Sequence, residues 1–222
     1  MEKQNLTQGE WDTTEKEFLK NLNNNYFQDI RDDVQTLRKN RPESIKSQLC
    51  LAFTLADSLS RIHKIFLGTR GSDLDNNNEA RFRAWVDNFV LTEKNNEYKK
   101  YKGLIAPNSK VVWNIRNSFL HFYSFPPATK EKEEYIIFGH NLSIKTNSNI
   151  KKAFREKGCT SITYIDAFRL IEAIFSGFLI QLLYLREIIK TNPDQYIKNV
   201  LYARDILFTQ SAVVVPAKQN EN

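Results

Sequence analysis

Within Val111–Tyr123 (VVWNIRNSFLHFY), Arg116 is followed directly by Asn117 and, after four intervening residues, by His121. A guanidinium can hold a phosphate through paired charge-assisted hydrogen bonds, and an imidazole exchanges protons near neutral pH. Those two abilities are what RNA cleavage without a metal requires. A helix turns about 100° per residue. On that wheel Val112, Ile115, Phe119 and Phe122 share one side, and Lys110, Asn114, Asn117, His121 and Ser124 share the other. Arg116 stands between them. A solvated face usually carries Glu and Lys, whereas this one carries amides and an imidazole. Asn is a poor residue in a helix interior, so Asn117 calls for a reason to be there.

The rest of the chain must position this helix. From Ser44 to Leu67 apolar residues recur at spacings of three and four, the mark of an amphipathic helix. Glu79–Val90 follows the same rule through Phe82, Trp85, Val86 and Phe89. Further helices are predicted over Thr13–Leu22 and Tyr26–Lys39, with Asn23–Asn25 either breaking or bending them. Pro107 and Asn108 introduce the Arg116 helix and Pro126-Pro127 ends it. Thr163 with Asp166 resembles a capping arrangement before a long helix to about Lys190, and Asn192-Pro193-Asp194 starts a last one to about Thr209. Asn95–Lys102 reads as a short helix or a loop, Ile150–Glu156 as a short helical turn, and Gly71–Asn78 as a flexible polar tip. Strand signal is confined to Tyr135–Phe138 and Leu142–Thr146 around Gly139-His140-Asn141, a β-hairpin. The expected fold is all-α: an antiparallel helical bundle with one small β-hairpin insertion. It forms one domain over residues 1–222, its core spans about 40–210, and residues 1–10 and 213–222 are flexible tails. Residues 44–67, 79–91, 108–124 and 162–190 form its centre.

The 222 residues are 41% hydrophobic, enough for a real core, and the net charge of +6 permits an anionic partner without proving one. Cys50 and Cys159 have no metal-ligand spacing, and Cys50 reads as a buried free thiol. His63 reads as a solvated helix-edge residue and His140 as a turn residue. The N-terminus lacks the apolar centre of a signal peptide. Ala173–Leu185 is about half a membrane span and reads as a core helix. These features point to a cytoplasmic protein with no membrane partner, no metal site and no cofactor.

Arg116-Asn117-Ser118-Phe119-Leu120-His121 resembles the signature of HEPN domains: an Arg, four to six residues, then His, with Asn, Asp or His often following the Arg. The likeness extends over roughly residues 40–190, where the motif lies on a late helix of a helical bundle. It implies a metal-independent endoribonuclease, a toxin or host-defence effector, with an antitoxin or regulatory protein as a further partner. The RNA 2′-hydroxyl would attack the adjacent phosphate. His121 would act as base or acid, Arg116 would stabilise the phosphate charge, and Asn117 would orient the phosphate or the other two side chains. The products would be a 2′,3′-cyclic phosphate and a 5′-hydroxyl. Arg116 and His121 lie about 140° apart on the wheel and about 7.5 Å apart along the axis, so one copy makes an incomplete site. The family resemblance then implies a homodimer with two such helices meeting at a two-fold axis. Asn114, Ser118 and Tyr123 are further RNA-binding candidates beside the motif. Lys99, Lys100 and Lys102 are candidates for phosphate contact, as are Lys151 and Lys152. Two other readings stay open: a non-catalytic dimeric HEPN-like module binding RNA, a nucleotide or a protein, and an unrelated helical protein in which the motif is coincidence.

Overall fold

The computed structural model describes residues 8–74, 76–122, 134–139, 144–156 and 161–208. Helix α1 (Gln8–Asn21) runs through a π-helical turn at Leu22–Phe27 directly into α2 (Gln28–Asn40). Asn23–Asn25 therefore bend the chain and do not break it. The bend buries Leu22 and Phe27, and Phe27 stacks on Phe178 with centroids 4.0 Å apart. Residues 8–10, expected in a loose tail, belong to α1.

Helix α3 (Ile45–Phe66) is the central element and packs against α2, α4, α6, α8 and α9. Its spacing of apolar residues explains this: Leu49, Ala52, Phe53, Ala56, Leu59 and Ile62 are all buried. Each large apolar side chain so buried contributes about 1.5–3 kcal/mol. Gly68 follows at φ 96°, the left-handed conformation that favours glycine at a helix end. Helix α4 (Asn78–Trp85) passes into a π-turn at Val86–Val90, then come α5 (Asn96–Tyr101) and α6 (Ser109–Phe122). Helix α8 (Ala167–Thr191) and α9 (Pro193–Phe208) close the bundle. The four segments expected at the centre supply most of one hydrophobic cluster. The fold is thus an all-α helical bundle.

The strand expectation needs correction. Strand β1 (Glu134–Gly139) pairs in parallel with β2 (Ser161–Asp166), and α7 (Ile144–Glu156) connects them. Parallel strands need a crossover of a dozen or more residues, usually helical, so no hairpin closes at Gly139. Ile144 and Ile150 serve this helix, while the β-branched run Ile162-Thr163 in front of α8 supplies the second strand. Thr163 is consequently in β2, and Asp166 alone caps α8, accepting from the Phe168 and Arg169 amides at 3.0 and 3.1 Å. His140, Leu142, Ser143, Cys159 and the Pro126-Pro127 stop lie outside the described residues, as does the expected tail from 213.

Three smaller readings also change. The Gly71–Asn78 tip is tied down: Lys64 donates to the Asp73 and Asn76 carbonyls, and the Tyr202 hydroxyl accepts from the Gly71 amide at 2.9 Å. Helix α8 is 25 residues long and passes the length and composition test for crossing a membrane, with 56% of its most apolar window buried inside the fold. The apolar run Ala173–Leu185 is only its middle. His63 is buried, 6% exposed, edge-on to Phe89 and Tyr184 at 5.0 and 6.1 Å. Placing it on a solvated edge overlooked the second flank of a helix that is buried on most sides.

Burial pushes the His63 imidazole below its ordinary value of 6.5. The unfolded chain therefore binds this proton more readily than the folded one. Stability from His63 is complete above pH about 6.5 and is lost as pH falls toward the lowered folded value. Melting temperature followed from pH 7.5 down to 5 should drop less in His63→Phe than in the wild type. Equal slopes would contradict this.

Gly177 marks a close approach of α8 to the π-turn. A Cβ there would stand 3.0 Å from the Phe89 carbonyl oxygen and 3.1 Å from Val90 Cγ2. Alanine normally favours a helix over glycine by about 1 kcal/mol. Here overpacking against backbone outweighs that gain, and Gly177→Ala is expected to destabilise by about 1–3 kcal/mol. A urea midpoint at or above that of the wild type would refute the close packing.

Candidate functional site

Helix α6 presents the motif because its two faces are chemically distinct. Asn108 caps its start, its side-chain oxygen accepting from the Val111 amide at 3.0 Å. Val112, Ile115 and Phe119 are buried as expected, while Lys110, Asn114 and His121 are exposed. Ile115 and Phe119 fix the rotation of α6 against the bundle and so fix where residues 116, 117 and 121 emerge. His121 sits in the last turn, where the helix dipole favours a cation.

Arg116 is the hub. Its Nη1 donates to Asn117 Oδ1 at 2.9 Å and lies 3.5 Å from His121 Nε2. Its Nη2 donates to Asp57 Oδ2 on α3 at 2.5 Å. The guanidinium lies 5.0 Å over the Trp113 ring, which itself rests on Phe82 at 5.5 Å. Stacking, a carboxylate and an amide thus set its orientation from three sides. The Arg116 side chain is only 11% exposed, so these bonds form in a partly desolvated setting. Its Nε is buried and has no hydrogen-bond partner among the described residues.

The wheel placed Arg116 and His121 too far apart to meet. Side-chain reach closes the gap to 3.5 Å between Arg116 Nη1 and His121 Nε2, and one protomer brings Arg, Asn and His together.

The remaining candidates separate. Asn114 is exposed one turn before Ser118. Ser118 is 8% exposed and belongs to the buried side of α6, so it is not a surface RNA contact. Tyr123 lies outside the described residues. Lys99 and Lys100 are on α5 and Lys102 on the short 3₁₀ turn after it; α5 packs on α8, whereas α6 packs on α3 and α4. Lys102 donates to Glu93 at 2.8 Å and Lys100 lies 5.0 Å from the Tyr101 ring. None of the contacts among the described residues joins these lysines to Arg116. Lys151 and Lys152 lie on α7.

Asp57 is the residue that the motif alone does not disclose. It stands between two guanidinium groups, Arg116 at 2.5 Å and Arg81 at 3.8 Å. Arg81 is itself buried, donating to Ser60 Oγ and to the Leu74 carbonyl at 3.1 and 2.6 Å. A signal existed: Thr54, Asp57, Ser58 and Arg61 are spaced i, i+3, i+4, i+7, a polar stripe on an otherwise apolar helix. With Arg81 and Leu120 this stripe lines a cleft of about 320 Å³ beside the motif.

Cys50 is half-buried, its Sγ 3.6 Å from the Phe119 carbonyl oxygen, and burial raises its pKa. It props α6 from below the motif. Among the described residues, no three His, Cys, Asp or Glu side chains converge as a metal site. Compared with protein-family models, curated proteins and solved structures, the chain matches none of them.

Proposed function

We propose that this protein is a metal-independent endoribonuclease of HEPN type, acting in the cytoplasm. The observation that carries the reading is the convergence of Arg116, Asn117 and His121 at the exposed end of α6. Phosphoryl transfer within RNA needs a proton acceptor near the 2′-hydroxyl and a cation fixed where charge grows on the phosphate. His121 is the exposed proton carrier, and Arg116 is the preoriented cation. Asn117 holds one guanidinium nitrogen and leaves its own amide hydrogens for a phosphate oxygen. A homodimer that apposes two α6 ends would add a second guanidinium to each phosphate. An antitoxin or regulator would act by covering that face.

A second reading has a specific observation in its favour. Asp57 already occupies Arg116, and a carboxylate in a phosphate's place fits a non-catalytic binding module. The two readings part on purified protein incubated with mixed single-stranded RNA and a chelator. Cleavage by the wild type that disappears in Arg116→Ala and His121→Ala supports the nuclease. RNA left intact by folded wild type, together with tighter RNA binding in Asp57→Asn, supports the binding module.

A further inference from the structure

Asp57 engages its two guanidinium neighbours unequally. Its Oδ2 accepts from Arg116 Nη2 at 2.5 Å, while its Oδ1 lies 3.8 Å from Arg81 Nη2, beyond hydrogen-bond reach. Oδ1 is buried and has no hydrogen bond among the described residues. A buried acceptor in that state is costly, and a guanidinium that could satisfy it stands only about 1 Å too far away.

Arg81 is built to receive that oxygen. Its side chain is 4% exposed and fixed from two sides: Nε donates to Ser60 Oγ at 3.1 Å and Nη1 to the Leu74 carbonyl at 2.6 Å. Ser60 Oγ in turn donates to the Asp57 carbonyl at 2.7 Å, which ties Arg81 to the turn of α3 that carries Asp57. Arg81 therefore stays in place while the carboxylate moves. At 26%, Asp57 is the most exposed of the three side chains, and with Arg81 it lines the cleft beside the motif.

Arg116 does not grip a phosphate fully as it stands. A guanidinium takes a phosphate through two parallel N–H groups, either the two Nη or Nε with Nη2. Both pairs include Nη2, which donates to Asp57. A carboxylate and a phosphate on that one nitrogen would repel each other. Pulling Asp57 away with no second partner would leave a partly desolvated charge unpaired, which is strongly unfavourable. Arg81 supplies the second partner.

We infer that Asp57 is a counter-ion that changes partners: an RNA phosphate takes its place on Arg116 Nη2, and the carboxylate passes to Arg81. Arg81 is thus a positioning residue that acts on Arg116 through Asp57. The identity of the anion rests on the nuclease reading, whereas the exchange of partners rests on the geometry alone.

The test uses the full chain and a short 2′-O-methyl RNA oligonucleotide, which cannot be cut by 2′-hydroxyl attack. Its affinity is measured for wild type, Asp57→Asn, Arg81→Gln and the double variant, with circular dichroism to confirm folding. Asp57→Asn should tighten binding about tenfold, because no carboxylate competes for Arg116. Arg81→Gln should weaken binding about tenfold in the wild-type background and by less than about twofold beside Asp57→Asn, where no carboxylate needs a second partner. A merely structural role, or a long-range pull of Arg81 on the RNA, would weaken both backgrounds alike. Equal losses would therefore overturn the inference, and so would failure of the wild type to bind. If Arg81→Gln does not fold, the wild type still decides. The Asp57 carboxyl carbon resonance, assigned by its loss in Asp57→Asn, should move when the oligonucleotide is added, and a resonance that stays in place while the oligonucleotide binds would overturn the exchange. Cleavage of unmodified RNA is scored separately. Intact RNA together with the Asp57–Arg81 coupling would sink the nuclease reading and leave the exchange standing; cleavage without that coupling would do the reverse.

Discussion

His121→Ala is expected to lower the rate of RNA cleavage by about 10²–10⁴-fold, the usual contribution of a positioned acid or base. Arg116→Ala is expected to cost about 10²–10³-fold, the effect of losing one preorganised charge donor. The two losses should not add. Arg116 Nη1 is 3.5 Å from His121 Nε2, so each variant also disturbs the other group. The double variant should therefore fall well short of the product of the single losses. Single-turnover rates on one defined RNA, with circular dichroism to confirm folding, provide the check. A wild-type rate in either single variant would remove that residue from the chemistry. Fully multiplicative losses would mean that the two side chains act apart.

The second large effect concerns the frame that holds α3, α4 and α8 together. Trp85 is fully buried, and its Nε1 donates to Gln181 Oε1 at 2.7 Å, while Gln181 Nε2 donates to the Leu59 carbonyl at 3.0 Å. One indole thus links three helices through a buried amide. Trp85→Ala opens a cavity and is expected to cost about 3–5 kcal/mol. It also leaves Gln181 Oε1 without this donor, a loss of the kind worth about 1–3 kcal/mol. Against a typical total of about 5–15 kcal/mol, such a loss removes a large share of the stability. Trp85→Phe keeps most of the packing and should separate the two contributions. Guanidinium unfolding curves measure both, and an unfolding free energy for Trp85→Ala within about 1 kcal/mol of wild type would show that Trp85 is not the keystone described here.

Much of this architecture was legible in the residues. The threefold and fourfold spacing of α3 and the apolar side of α6 named their buried faces correctly, because burial of a helix face is written in local periodicity. What failed was non-local. β1 finds its partner 27 residues away, at Ser161 opposite Glu134, and no turn signal points there. Gly139-His140-Asn141 offered a tempting local answer in its place. His63 was misplaced for a similar reason: its neighbours Phe89 and Tyr184 come from other elements.

The candidate site divides in the same way. Arg116, Asn117 and His121 are visible as a spacing on one helix. Asp57 and Arg81 lie far from them along the chain and join only when α3, α4 and α6 pack together. The helical wheel also measured backbone positions and ignored the reach of a long side chain. A guanidinium that extends along its own helix closes a gap that the wheel left open. The lysines near residue 100 made the opposite point, since local density of charge did not bring them to the motif.

The central claim is that an imidazole and a guanidinium on α6 drive attack by the RNA's own 2′-hydroxyl. End-group analysis of the fragments made from single-stranded RNA in excess chelator tests it most directly. The account predicts 2′,3′-cyclic phosphate on the upstream fragment and 5′-hydroxyl on the downstream one, with the matching DNA strand left whole. Fragments bearing 5′-phosphate, or cutting of the DNA, would contradict it.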